Sequence, residues 1–147
     1  MMRSMPKLPT LLAVMTPFPH AVHAEDDVAT ARAMMEQHGI HHLPVLRDGR
    51  LAGIISERDV SLAGDVLASN DTGVGMPVWA ICTRDAYVVE IDTRLDVVAE
   101  QIANRHIGSA LVVKHGKLAG IVTTTDLCRA LAQVLREHLP GFGDDVA

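Results

Sequence analysis

Aromatic residues are scarce in this chain: two Phe, one Trp and one Tyr make up 3% of its 147 residues. Any core must therefore be aliphatic, and a hydrophobic content of 48% supplies enough for one domain of ordinary size. Cysteine is nearly absent. Cys82 and Cys128 have neither metal-type spacing nor a disulfide-rich context, which reads as free thiols in a reducing compartment. No apolar run approaches the roughly 18–20 residues needed to span a bilayer. Positive charge is also short, with 13 Lys and Arg against 18 Asp and Glu and a net charge of −5. That argues against general nucleic-acid binding, which requires a basic surface. Eight His residues soften the argument, because some can charge below neutral pH.

One stretch imitates a secretory signal. Arg3 precedes the apolar Leu11-Leu12-Ala13-Val14-Met15, and Ala21 to Ala24 resembles a cleavage site. The run is short, Pro17 and Pro19 interrupt it, and the repeat described next uses residues 15–24 as part of the fold. A cytoplasmic protein without a membrane association is the expectation.

What the chain does have is an internal repeat. The segment Asp48 to Val60 matches His115 to Leu127, with Gly53 falling on Gly120 and Asp59 on Asp126, an offset of 67 residues. The same offset carries Thr16 onto Thr83, Val22 onto Val89, Val28 onto Leu95, Ile40 onto Ile107 and Val45 onto Val112 without a gap. Each copy reads as strand, helix, strand, strand, helix. In the first, Glu25-Asp26-Asp27 suits a helix start. Val28, Ala31, Met34 and Met35 form an apolar stripe at helical spacing, and Gly39 suits the helix C-cap. Leu43 to Leu46 and Leu51 to Ile55 are strands joined by an Asp48-Gly49 turn. Ser56 opens a second helix running to about Ala68. The second copy predicts a helix near Leu95–Arg105, strands at Ala110–Val113 and Leu118–Val122, and a last helix from about Thr124 to Glu137. The expected organisation is an N-terminal extension (1–11), a first repeat (12–68), a linker (69–78), a second repeat (79–137) and a frayed tail (138–147). A unit of about 60 residues has a marginal core alone. Two units related by a pseudo-twofold axis would bury each other's sheets and create two equivalent clefts.

Both copies carry the form Gly-apolar-apolar-(Ser/Thr)-x-x-Asp, at Gly53 to Asp59 and at Gly120 to Asp126. Read structurally, this is a capping box with Asp in place of Glu or Gln. Read functionally, a helix N-terminus offers free N–H groups to phosphate, and the adjacent carboxylate accepts two hydrogen bonds from a ribose diol. Four residues alone favour the cap over the ligand.

The duplicated pattern resembles a pair of CBS domains, also called a Bateman module. The resemblance rests on Val14-Met15-Thr16-Pro17, Gly39 to Val45, Asp48 to Gly53 and Ser56 to Asp59, then on Ile81 to Arg84, Ile107 to Val113 and Gly120 to Asp126. It covers about residues 12–135. It implies an α/β (α+β) fold in which two βαββα units pack sheet to sheet. It also implies that the Ser/Thr and Asp of one copy cooperate with the opening loop of the other. One cleft would combine Thr16, Ala21, Ile40 and His41 with Thr123 and Asp126. The mirror cleft would combine Thr83, Val88, Ile107 and Gly108 with Ser56 and Asp59. The two Asp residues would hold ribose, and Ala21/Ile40 and Val88/Ile107 would flank adenine. His41 could give phosphate a charge-assisted contact, which favours the Asp126 cleft, with His42 a weaker candidate and Ser109 its counterpart in copy two. Arg58 could compensate in the other cleft.

The resulting expectation is a regulatory module without catalysis or a resident cofactor. It would sense an adenine nucleotide (AMP, or else ADP or ATP), associate as a homodimer and signal to a protein partner in trans. A ligand-free interaction module is the alternative. A His-based metal sensor using His20, His23, His38, His41 and His42 is less favoured, because no His-Glu-x-x-His run or paired Cys supports it. No Ser, Cys or Lys has an evident activating base. Met5, Met34 and Met35 read as core fillers, and Trp79 as packing over the linker.

Overall fold

The computed structural model describes residues 8–66 and 75–139, so most of the expected linker, Met5 and the expected frayed tail beyond Leu139 lie outside the described residues. The elements in order are α1 (Leu11–Val14), β1 (Thr16–Pro17), β2 (Val22–His23), α2 (Val28–His38), β3 (His42–Arg47), β4 (Arg50–Ser56) and α3 (Glu57–Val66). A 3-10 turn at Val78–Ala80 follows, then β5 (Val88–Glu90), α4 (Leu95–Arg105), β6 (Ser109–Lys114), β7 (Lys117–Thr123) and α5 (Thr124–His138).

Local chemistry sets these boundaries. Helix α2 buries Val28, Ala31 and Met35 at helical spacing and stops at Gly39, whose φ of 62° is left-handed. Helix α4 buries Val98 and Ile102 and stops the same way at His106, with φ 53°. The hairpins β3–β4 and β6–β7 both turn on two successive positive-φ residues, Asp48-Gly49 and His115-Gly116. Each hairpin also shifts register at the same place, between Val45 and Leu46 and between Val112 and Val113. The repeat is thus preserved down to its irregularities. Met35 lies in the core and Met34 packs against it.

The strands form two sheets, ordered β2-β3-β4 and β1-β7-β6-β5. The second order shows an exchange. Strand β1 leads the first repeat but pairs antiparallel with β7 of the second, Thr16 opposite Ile121 and Pro17 opposite Gly120. The second repeat returns the exchange through a single bridge. Thr83 N–H donates to the Ile54 carbonyl at 2.8 Å, and Ile54 N–H donates to the Thr83 carbonyl at 3.0 Å.

The cores follow the exchange. Leu11 and Met15 belong to the cluster built on Val89, Val98, Ile102, Ala110, Val112 and Val122 of the second repeat. Val78 belongs to the cluster of Val22, Val28, Leu43, Val45, Ile55 and Val60 of the first, with Met76, Ile81 and Cys82 packed against it. Fully burying one such Leu or Val contributes about 1.5–3 kcal/mol. Packing units and sequence repeats therefore do not coincide: the leader of each repeat completes the other one's core. The expected N-terminal extension, 1–11, accordingly ends inside a core, at Leu11. Trp79 is held by its N–H to the Ala24 carbonyl, 3.1 Å, and is 40% exposed.

Glycine makes the crossings possible. A Cβ on Gly53 would overlap the Thr83 carbonyl oxygen, and one on Gly120 would press on the Met15 sulfur and lie 3.0 Å from the Thr16 carbonyl oxygen. Gly53 meets fixed backbone, whereas Gly120 meets chiefly the flexible end of a methionine. Gly53→Ala is accordingly expected to cost about 1–3 kcal/mol in urea unfolding, and Gly120→Ala clearly less. Equal losses at the two positions would contradict this account.

Candidate functional site

The two capping boxes are both formed. Ser56 N–H donates to Asp59 Oδ2 at 2.9 Å, and Asp59 N–H donates to Ser56 Oγ at 3.1 Å. Thr123 N–H donates to Asp126 Oδ2 at 2.9 Å, and Asp126 N–H donates to Thr123 Oγ1 at 3.3 Å. The Thr123 hydroxyl adds a bond to the same Oδ2 at 3.0 Å. The structural role of the motif is therefore real, and it engages Oδ2 in both copies. A carboxylate has two acceptor oxygens, so a cap made by one does not exclude a ligand hydroxyl at the other. Asp59 and Asp126 are both half-buried.

The exchange pairs two of the expected cross-repeat partners onto the strands that lead into these caps. Thr16 lies opposite Ile121, two residues before Thr123, and Thr83 lies opposite Ile54, two residues before Ser56. Both threonines are exposed. The crossover from Pro17 to Val22 then carries Ala21, half-buried, from one sheet to the other. Ile40 and Ile107 are half-buried at the rims of the two cores. Val88, 43% exposed, opens β5 opposite Leu111.

The basic residues fall differently from the sequence expectation. His41 Nδ1 pairs with the Glu57 carboxylate, and the His41 carbonyl accepts the Glu57 N–H at 2.8 Å. His41 therefore stands at the Ser56–Asp59 cap of its own repeat rather than joining Thr123 and Asp126. The reason is register: β3 runs antiparallel to β4 with His42 opposite Ser56, so the residue before His42 meets the residue after Ser56. The argument that His41 favours the Asp126 cleft falls with this placement. In the second repeat the Thr124 N–H donates to the Gly108 carbonyl at 3.1 Å, the mirror of the Glu57–His41 bond. Ser109 is only 8% exposed, so its side chain is not at the lip of that cleft. The Thr124 hydroxyl, which bonds the Gly108 carbonyl at 3.4 Å, is exposed there instead. Arg58 is exposed on the first turn of α3. Glu57 and Thr124 were not singled out in the sequence; their signal was their place directly after the Ser/Thr of each motif.

His42 occupies the seam. Its Nε2 would lie 2.9 Å from a Cβ on Gly108, so the ring of the first repeat rests against the backbone of the second. Burial lowers its pKa below the ordinary value, nearby His41 lowers it further, and Asp59 opposes both. Elsewhere His20 stacks on His38, with ring centroids 3.7 Å apart. Among the described residues no three His, Cys, Asp or Glu side chains gather as metal ligands.

A lowered His pKa has a definite sign in stability. The unfolded chain takes up a proton near the ordinary value of 6.5, while folded His42 resists it. Its contribution is complete above that pH and is lost as pH falls toward the lowered folded value. Melting temperatures of wild type and His42→Asn should therefore diverge above about pH 7 and converge toward pH 5.5. A constant difference across that range would contradict the assignment.

Comparison with known proteins agrees with this architecture. The CBS-domain family model matches residues 12–64 and 78–133. The chain is 33% identical over 118 residues to an uncharacterized 17.7 kDa protein of Acidianus ambivalens, covering 79% of this chain and 67% of that one. It is 33% identical over 109 residues to inosine-5′-monophosphate dehydrogenase of Korarchaeum cryptofilum, covering 72% of this chain but only 21% of the enzyme. Among solved structures, a protein named for acetoin utilization (AcuB) from Vibrio cholerae superposes with a TM-score of 0.77 at 26% identity, covering 89% of this chain and 97% of its own. The CBS-domain pair of protein MJ0100, in complex with 5′-methylthioadenosine and S-adenosyl-L-methionine, gives 0.75 at 26% identity, with 86% and 98% covered. CBSX2 in complex with AMP gives 0.71 at 26% identity, again with 86% and 98% covered. The chain belongs to the CBS-domain family, as a tandem pair whose leading strands are exchanged.

Proposed function

We propose that this CBS pair is a regulatory module without catalytic activity that binds an adenine nucleotide, AMP foremost, in the clefts between its repeats. Support for the reading comes from the pairing of an exposed threonine of each repeat onto the strand that leads into the other repeat's helix cap, at Ile121 and at Ile54, where an Asp is bonded through Oδ2 at the helix N-terminus. The positive end of the helix suits phosphate, the second carboxylate oxygen suits a ribose hydroxyl, and the apolar Ala21/Ile40 and Val88/Ile107 suit a purine. The complexes of MJ0100 and CBSX2 with adenosyl ligands support the same class. Arg58, exposed on the first turn of α3 beside Asp59, supports a phosphate contact there that Thr125 does not offer in the second repeat. The two clefts would therefore be unequal, with phosphate better served at the Asp59 one. The matched dehydrogenase is an enzyme whose remaining 79% this chain does not span, so its activity is not carried over.

The signal would reach a cytoplasmic protein partner through a homodimer. Helix α5 is strongly amphipathic yet buries none of its residues, and Leu131, Leu135 and Leu139 are 59%, 47% and 45% exposed. Spaced four apart, they form a stripe that a second copy of the chain would cover. Leu131→Glu with Leu135→Glu should give a monomer in sedimentation with repeat cores intact. A wild type that sediments as a monomer would remove the dimer from the proposal.

AMP at a hundred times its dissociation constant should add about 2.7 kcal/mol to stability. Asp126→Asn and Asp59→Asn keep an oxygen for the cap, so each should melt close to wild type while losing the AMP-induced shift from its own cleft. No shift of wild type with AMP, ADP, ATP or S-adenosylmethionine would leave the ligand-free interaction module as the reading.

A further inference from the structure

The chain's one tryptophan, Trp79, borders a hollow that the clefts do not use. This hollow, of about 730 Å³, lies beside the Asp48-Gly49 turn, with Trp79, Arg47, Leu46 and Glu25 in its lining. A smaller one of about 130 Å³ adjoins it. Ala24, Arg47 and Trp79 line both, and Cys82 and Arg84 line the second. The turn lies at the end of β4 away from the Ser56–Asp59 cap, about 20 Å along the strand.

The duplication provides an internal reference. At the offset of 67, Ala24 and Cys82 correspond to Ile91 and Met15, larger side chains that pack in or against the other core. Trp79 and Arg84 correspond to Leu12 and Pro17. The fold therefore does not require small residues, an indole or a second arginine at these places, yet one unit has all of them. The charges are also uneven. Glu25 pairs with Arg47 at 3.6 Å, and Asp48 adds a second acid to the lining. Arg84 is exposed and has no acidic partner within 4 Å among the described residues. The Cys82 thiol donates to the Trp79 carbonyl at 3.9 Å. Burial raises its pKa, so it adds no charge, while Arg84 and Arg47 pull the other way and so stand close to it. We propose that this hollow binds a small planar aromatic carboxylate, its ring against Trp79 and its charge on Arg84. One negative charge matches the one cation that Glu25 leaves over, and a dianion such as a phosphate monoester would meet Glu25 and Asp48 as well.

Because Trp79 is the single tryptophan, its fluorescence reports from the hollow itself. Titration of the whole chain with benzoate should change that fluorescence saturably. Benzyl alcohol, which lacks the charge, and acetate, which lacks the ring, should each bind more weakly. Arg84→Gln should melt like wild type and weaken benzoate roughly tenfold. Trp79→Leu, which installs the residue of the other repeat, should lose the heat of benzoate binding in calorimetry. An unsaturable fluorescence change, a benzyl alcohol or acetate response equal to that of benzoate, or tighter binding of phenyl phosphate overturns the proposal. So does benzoate heat retained in Trp79→Leu, or an Arg84→Gln chain that folds and binds as wild type does. Displacement of benzoate by AMP overturns it too, because the ring would then lie in a cleft.

Discussion

The rest of the structure depends on a backbone-to-backbone approach at two glycines. Gly53 lets the Thr83 carbonyl come close enough for Thr83 and Ile54 to exchange hydrogen bonds, and Gly120 does the same for the strand carrying Thr16. Once these crossings form, Leu11 and Met15 enter the second core and Val78 enters the first. The same crossings pair Thr16 and Thr83 onto strands that lead into helix caps they are far from in sequence, opposite Ile121 and Ile54.

The capping boxes show how the same residue types can suit a helix cap and a proposed ligand contact. A Ser or Thr with an Asp three residues on satisfies the first turn of a helix, and both copies here do this with nearly equal distances. In both copies the cap engages Oδ2 of the Asp, so a ligand hydroxyl at Oδ1 would not compete with the cap for an atom. This is why the motif, taken alone, reads first as a cap and only second as a ligand site.

Much of the fold was legible because duplication writes every signal twice. The Asp48-Gly49 and His115-Gly116 turns, the Gly39 cap and the Leu95–Arg105 helix are set by local rules and appear where those rules put them. The exchange was not legible as packing. Strand β1 has two residues and its counterpart in the second repeat is a single bridge, too short for any periodicity to report a pairing partner. His41 was misassigned for a related reason. A one-residue step in an antiparallel register decides whether it meets Glu57 or faces the seam, and composition carries no trace of that step. Ser109 looked like a polar lip residue, but it lies in a strand whose burial runs from Ser109 through Val113.

The exchange also governs the order in which the chain can be completed during synthesis. The first repeat lacks Val78 and the Thr83 bridge until residues well past its own last helix have left the ribosome. Leu11 has its core companions Val112 and Val122 more than a hundred residues later. Neither half can close early, because each waits for a piece of the other. Completing either core therefore requires residues of both repeats, which raises the sequence separation of the contacts each core depends on.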